Sequence, residues 1–196
     1  MFILTKVADL VQITPSDFKK SSIDAIHDNI NAKYANKVIQ KIGLCICLWD
    51  VLWASEGLIG HGTGLVNVNV EFRIVVFRPF KGEVLQGRIT SGTQAGVHIR
   101  LDFFDDVFIP ASDMPDEAVF EPSEGLWVWR DEDQTMYYDT HEMVRFQVLT
   151  EEWHDQTPTG PEGLIEEESG GRPIPPYRIT GSMKGSGLGC CLWWDE

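Results

Sequence analysis

The sequence has no apolar run close to the roughly 18 residues that a membrane-spanning helix needs. Its start, MFILTKVADLV, has neither a basic leader nor a small-residue cleavage site. Neither a membrane segment nor a signal peptide is expected, and the chain reads as soluble and intracellular. Cysteine is scarce, with four in 196 residues: Cys45, Cys47, Cys190 and Cys191. A C-x-C pair and an adjacent C-C pair fit no usual zinc spacing, so no metal is expected. Cys45 and Cys47 lie in the strand-like run GLCICLWDVLW, where they are expected to share one face as small buried hydrophobes. Reduced thiols suit cytosol or nucleus. The histidines, His27, His61, His98, His141 and His154, show no H-x-x-x-H or H-E-x-x-H spacing. No serine sits in a G-x-S-x-G setting. The carboxylate clusters at 131–133 and 166–168 fall in turn or loop composition and read as solvated. An acid–base pair needs contrasting environments, which nothing here suggests. No catalytic residue and no cofactor is therefore expected, and enzymatic activity by this chain alone is not.

Basic charge is short and unevenly placed. There are 16 Lys and Arg against 30 Asp and Glu, a net of −14. Residues 1–80 carry a net of +1 and residues 81–196 a net of −15. The change coincides with the bend at Arg78-Pro79-Phe80, so two domains are expected, 1–80 and 81–196. The acidic half is unsuited to salt-driven, non-specific polynucleotide binding, and any nucleic-acid contact there must be local.

Strand signals are strongest between Gly57 and Ile89. Val66, Val68, Val70 and Phe72 alternate with Asn67, Asn69, Glu71 and Arg73, which puts the apolar side chains on one face. From Ile74 to Phe77 the run is apolar throughout, as expected for a strand that ends buried on both faces. Before it lies Gly60-His61-Gly62-Thr63-Gly64. A phosphate cradle would need a strand before and a helix after, with a Lys-Ser/Thr pair. Here a strand follows, so the glycines read as a hairpin tip, and as a docking tip where backbone approaches another surface closely. Upstream, residues 2–13 read as a strand. Thr14-Pro15-Ser16-Asp17 has the chemistry of a helix start. Ile23, Ile26 and Ile30 then share a helical face, with a possible break near Ser21-Ser22. Residues 44–53 read as a buried strand and 54–64 as a loop. Strand, helix, strand, loop, strand is too short for a closed barrel and predicts a small open sheet with a helix on one face.

The second half reads as short strands at 83–90, 96–102 and 107–109, a connecting loop over 111–125, a hairpin of 127–129 with 136–138 around an acidic turn, and strands at 143–149 and 177–182. This spacing predicts a small β-barrel of the OB type, giving an α+β chain overall. Residues 155–176, rich in Pro, Gly and Glu, read as a disordered loop. Arg88, His98, Arg100 and Phe104 could form a small stacking and phosphate-contacting face for RNA. In the alternative reading Phe104 is core and Arg100 pairs with an acidic neighbour. The end, LGCCLWWDE, is too apolar for a free tail, so Leu192, Trp193 and Trp194 are expected to dock on this chain or on a partner.

Several segments together resemble one family. They are MFILTKVADLVQI, NKVIQKIGLCICLWDV, VEFRIVVFRPFKGEVLQGRI, GVHIRLDFFDDVFIP, LWVWRDED, DQTPTGP and GSMKGSGLG. The chain resembles the larger stalk subunit of eukaryotic RNA polymerase III, itself similar to the seventh subunit of RNA polymerase II and to the archaeal counterpart of both. The resemblance implies a truncated RNP-like N-terminal domain, with its small sheet and helix, followed by a C-terminal OB-fold. It implies a nuclear, non-catalytic member of a heterodimer whose other half is a smaller helical stalk protein. The tip Gly60 to Gly64 would plug that heterodimer into the polymerase core. The OB-fold would face initiation factors and nascent single-stranded RNA.

Overall fold

The computed structural model describes residues 1–130, 135–156 and 174–194. The chain forms two compact units, Met1–Arg78 and Pro79–Glu196.

In the first unit β1 (Phe2–Ile13) is followed by a 3-10 turn at Pro15–Lys19, α1 (Ser22–Tyr34), β2 (Val38–Ile39), β3 (Gly43–Ala54), β4 (Leu58–Ile59) and β5 (Val66–Phe77). The sheet order is β1-β5-β3-β2, with β4 also paired to β5. The period-two pattern of β5 works as expected: Val68, Val70, Phe72, Ile74 and Val76 are all buried on the face that α1 covers. A fully buried side chain of the size of Phe72 contributes about 1.5–3 kcal/mol. β1 pairs with β5 in unbroken register, from Phe2 opposite Phe77 to Ile13 opposite Val66. β3 does not keep such a register. It shifts between Cys45 and Cys47, between Leu48 and Asp50, and between Val51 and Trp53. The first of these bulges corrects the cysteine expectation: Cys45 is buried and Cys47 exposed. An extra residue in one strand reverses which face the following side chains take. Burial pushes the Cys45 thiol up to about 11, so it stays protonated at neutral pH.

The helix is shorter than the pattern suggested. Pro15–Lys19 makes only a 3-10 turn, and Lys20 is extended. α1 starts instead behind Ser21, whose hydroxyl accepts the Asp24 N–H. Ala25, Ile26 and Ile30 form its buried face, whereas Ile23 is exposed. Starting the helix at Ser22 leaves Ile23 in its first turn. At the other end Asp9 of β1 accepts hydrogen bonds from Lys33 and Tyr34. Burial works against that carboxylate, but these bonds outweigh it and hold its pKa below the usual value.

In the second unit β6 (Val84–Thr93), β7 (Gly96–Arg100) and β8 (Val107–Pro110) form an antiparallel meander. After it come β9 (Ala118–Glu121), β10 (Leu126–Arg130), β11 (Thr135–Tyr138), β12 (Met143–Trp153), β13 (Tyr177–Ser182) and β14 (Gly189–Cys190). The main sheet runs β13-β8-β7-β6-β12-β14, and β12 also pairs with β13. That last pairing closes a five-stranded barrel. β8 and β13 run parallel, while the other barrel pairs are antiparallel. In barrel order the strands meet as first, second, third, fifth and fourth, the closure of an OB-fold. Ile89, Ile99, Ile109, Phe146 and Ile179, at 0–1% exposure, fill its interior.

The expected loop over 111–125 holds a strand: β9 pairs with β10, and β10 with β11, as a separate three-stranded sheet. β9 is four residues long, too short to show a period, and only its ladder with β10 organises it. The acidic turn at 131–133 and most of the loop expected at 155–176 lie outside the described residues.

At the β6–β7 turn Gly96 has φ +152°, and a Cβ there would lie 2.1 Å from the Ile109 carbonyl oxygen. Gly96→Ala is expected to lower unfolding free energy by about 2 kcal/mol or more, read as a reduced urea midpoint at unchanged slope.

Candidate nucleic-acid interface and docking tip

On β6 and β7 the outward side chains alternate with the buried ones. Arg88 lies directly opposite Arg100. Like charges in facing positions of a ladder repel, and an anion bound between them would relieve that repulsion. Arg100 Nε is 3.9 Å from Asp105 Oδ1, with both side chains more than half exposed. Such a pair contributes little in water. Arg88 donates to the His141 carbonyl at 3.4 Å. One position along, His98 faces Phe108 of β8 with ring centroids 4.8 Å apart. The Arg178 guanidinium of β13 lies 6.0 Å from the Phe108 ring centroid. The first three barrel strands therefore carry an arginine pair, an imidazole and a phenyl ring on one outer face. This is the face on which OB-folds hold oligonucleotides, and it has the two components single strands require, cationic groups for phosphate and π-faces for bases.

Three of the four residues singled out for RNA contact, Arg88, His98 and Arg100, are thus brought together. The fourth is not. Phe104 is only 5% exposed and packs on Tyr177 at 5.5 Å between centroids. It belongs to the barrel core, because the β7–β8 turn folds inward at this residue and its carbonyl accepts the Leu101 N–H. Phe103 is the exposed one of the pair, at 43%. Phe108 and Arg178 were missed. The signal for Phe108 was present, since it stands between the buried Val107 and Ile109 and must point outward. Arg178 reaches the same face only through the parallel β8–β13 pairing.

In the first unit, the glycine tip closes a tight turn between β4 and β5. The Gly60 N–H donates to the Leu65 carbonyl at 2.8 Å, and the Thr63 N–H to the Gly60 carbonyl at 3.3 Å. The Thr63 hydroxyl donates to the Gly60 carbonyl and accepts the Leu65 N–H, both at 3.4 Å. Thr63 therefore shapes the loop, while His61 is exposed. Gly62 and Gly64 take φ +78° and +67°, a region that disfavours other residues. The shoulders of the tip are apolar and open: Leu58 is 70% and Ile59 75% exposed. Trp49, Leu52 and Trp53 of the bulged β3 are also largely exposed.

The C-terminal residues divide. Trp193 packs within its own unit, 5.5 Å from Trp129 and 4.7 Å edge-on from Tyr138. Of the two expected alternatives, docking on this chain is the one seen for Trp193. Leu192 is 71% exposed, and Trp194, 43% exposed, donates its indole N–H to the Leu188 carbonyl at 3.1 Å. Burial, with Glu142 nearby, raises the Cys190 thiol pKa well above its ordinary value. Among the described residues no group of three His, Cys, Asp or Glu is placed to hold a metal ion.

Comparison with known proteins agrees along the whole chain. Residues 83–194 match the family model described as RNA polymerase III subunit Rpc25. Residues 8–64 match the SHS2 domain found in the N terminus of Rpb7p/Rpc25p/MJ0397. The DNA-directed RNA polymerase III subunit rpc8 of Schizosaccharomyces pombe is 41% identical, over 99% of this chain and 100% of its own. The subunit RPC8 of Bos taurus is 39% identical over the full length of both. More distantly, DNA-directed RNA polymerase subunit Rpo7 of Saccharolobus solfataricus is 26% identical, over 52% of this chain and 56% of its own.

Phe104→Ala is expected to remove about 3–5 kcal/mol of stability, as for other buried phenyl rings. Phe108→Ala, on the outer face, should leave the urea midpoint nearly unchanged.

Proposed function

The chain belongs to the RNA polymerase III subunit Rpc25 family, and on that basis we propose that it works as the larger, non-catalytic half of the polymerase III stalk heterodimer in the nucleus. The smaller helical stalk protein is its direct partner. The polymerase core receives the tip Gly60, His61, Gly62, Thr63 and Gly64. The assembled stalk supports initiation on small RNA genes, such as those for tRNA and 5S rRNA, together with initiation factors. The observation that supports docking is the apolar surface around the tip. Leu58 and Ile59, at 70% and 75% exposure, are side chains that water does not favour. Covering two such side chains contributes about 3–6 kcal/mol before the cost of association. Leu192 and Trp194 are further contact candidates on the second unit.

The outer face of the barrel would meet RNA leaving the enzyme, with Arg88 and Arg100 at phosphates and His98 with Phe108 against bases. The alternative, a free-standing OB-fold RNA-binding factor, is favoured by the same arginine pair. The two readings differ in how strongly the isolated chain binds RNA. A single arginine pair on a unit of net charge −15 supports a weak, local contact and not tight autonomous binding.

The stalk reading is tested by reconstitution. The chain should form a stable complex with the smaller stalk protein, and a stable monomer with no affinity for it would refute the reading. Gly62→Val with Gly64→Val should weaken association with the core polymerase yet leave the heterodimer intact, because both positions demand positive φ and neither lies in the sheet. Loss of both interactions together would assign the glycines to folding.

The RNA contact is tested by a salt series with a single-stranded oligonucleotide. Arg88→Gln and Arg100→Gln should each flatten the log–log salt slope by about 0.7, the value for one single-strand phosphate contact. An unchanged slope would place RNA elsewhere, and tight binding by the isolated chain would favour the free-standing factor.

A further inference from the structure

We propose that the outward face of the β9–β10–β11 sheet is a docking surface for a protein segment rich in lysine and arginine, with aliphatic residues in alternation. This goes beyond the stalk assignment and does not rest on the tip or on the arginine pair. The sheet is inserted between barrel strands β8 and β12. One of its faces is occupied: Trp127, 6% exposed, donates its indole N–H to the Thr93 carbonyl at 2.9 Å, and Tyr138, 1% exposed, lies under Trp193.

The side-chain period of two puts Val119, Val128 and Tyr137 on the opposite face. The ladders make them direct neighbours, Val128 facing Val119 on one side and Tyr137 on the other. Val128 is 3% exposed, while Val119 and Tyr137 are 54% and 44% exposed. A β-branched and aromatic row across three strands has the composition of a half-buried sheet surface. Within this unit its two outer members remain open to solvent.

Charge selects what can cover the row. Among the described residues between Ala111 and Glu142 there are seven carboxylates and one cation, Arg130. Arg130 lies 3.9 Å from Glu121, and Asp116 is paired with Lys184 at 2.8 Å. Glu124 and Asp139 are exposed. An acidic surround repels a polynucleotide and steers a basic segment inward. An extended chain suits the sheet, because its alternate side chains separate: aliphatic residues meet Val119 and Tyr137, and lysines or arginines reach the carboxylates.

The test uses the full chain and a labelled peptide of Lys-Val-Lys-Ser repeats. The controls are the same peptide with glutamate for lysine, and single-stranded oligouridylate. The lysine peptide should bind and the glutamate peptide should not. Backbone amide shifts should move most around 119, 128 and 137. Val119→Ser with Tyr137→Ser should weaken binding about tenfold, the scale expected when aromatic contact is lost at an interface. Glu124→Gln with Asp139→Asn should flatten the salt dependence. Should the double serine variant bind as the parent does, only bulk charge attracts the peptide and the proposal fails. It also fails if oligouridylate displaces the peptide, or if the amide shifts concentrate on the β7–β8 face. The shift map on the unaltered chain decides the matter even where a variant does not fold.

Discussion

The N-terminal unit depends on one ladder, the unbroken antiparallel pairing of β1 with β5. Each β5 residue from Val66 to Phe77 has a β1 partner, so the inward side chains of both strands fall on the helix-covered face together. Val11 and Ile13 join Val68, Val70 and Phe72 there, and α1 closes over them with Ala25, Ile26 and Ile30. A one-residue slip would turn that whole set to solvent. The other side of β5 tolerates irregularity for the same reason. With β1 holding the register, β3 can bulge three times and turn Trp49, Leu52 and Trp53 outward without disturbing the core.

That division of labour places the tip. β4 continues alongside β5 where β3 ends, and the glycine turn sits between β4 and the start of β5. The loop is thus carried on the strand most firmly held in the unit, with its own hydrogen bonds closing it at Gly60, Thr63 and Leu65. A docking element on a rigid strand loses less conformational entropy on binding than a free loop does.

The second unit has a comparable logic. Its core is sealed by the parallel contact of β8 with β13, which returns the chain to the meander. Closure also makes the outer face a continuous surface, so Arg178 arrives beside Phe108 and His98 from a distant stretch of sequence. Arg88 and Arg100 face one another at some cost, tolerable in a barrel whose inward-facing ladder positions are apolar and buried. The three-stranded insert then adds a surface of opposite character, acidic and apolar.

Local pattern was enough wherever side chains alternate over a long strand. The faces of β5, the strands of the barrel and its OB class, the break near Ser21-Ser22 and the hairpin of β10 with β11 were all legible in the sequence. So were Arg88, His98 and Arg100 as outward residues, and the family resemblance through its motifs. Other features were not, or stayed open between two readings. Cys47 leaves the face of Cys45 because of a bulge, and a bulge is defined only against the partner strand. Ile23 faces solvent although it shares the helical period of Ile26 and Ile30. Phe104 and Phe103 exchange roles because a turn reverses the chain between them. Trp193 finds Trp129 and Tyr138 across elements that share no local period. The sequence by itself determined the strands, the class and the family, since those follow from periodicity and composition. Tertiary structure alone decided which rings are core and which are surface, because that depends on registers and turns formed between distant residues.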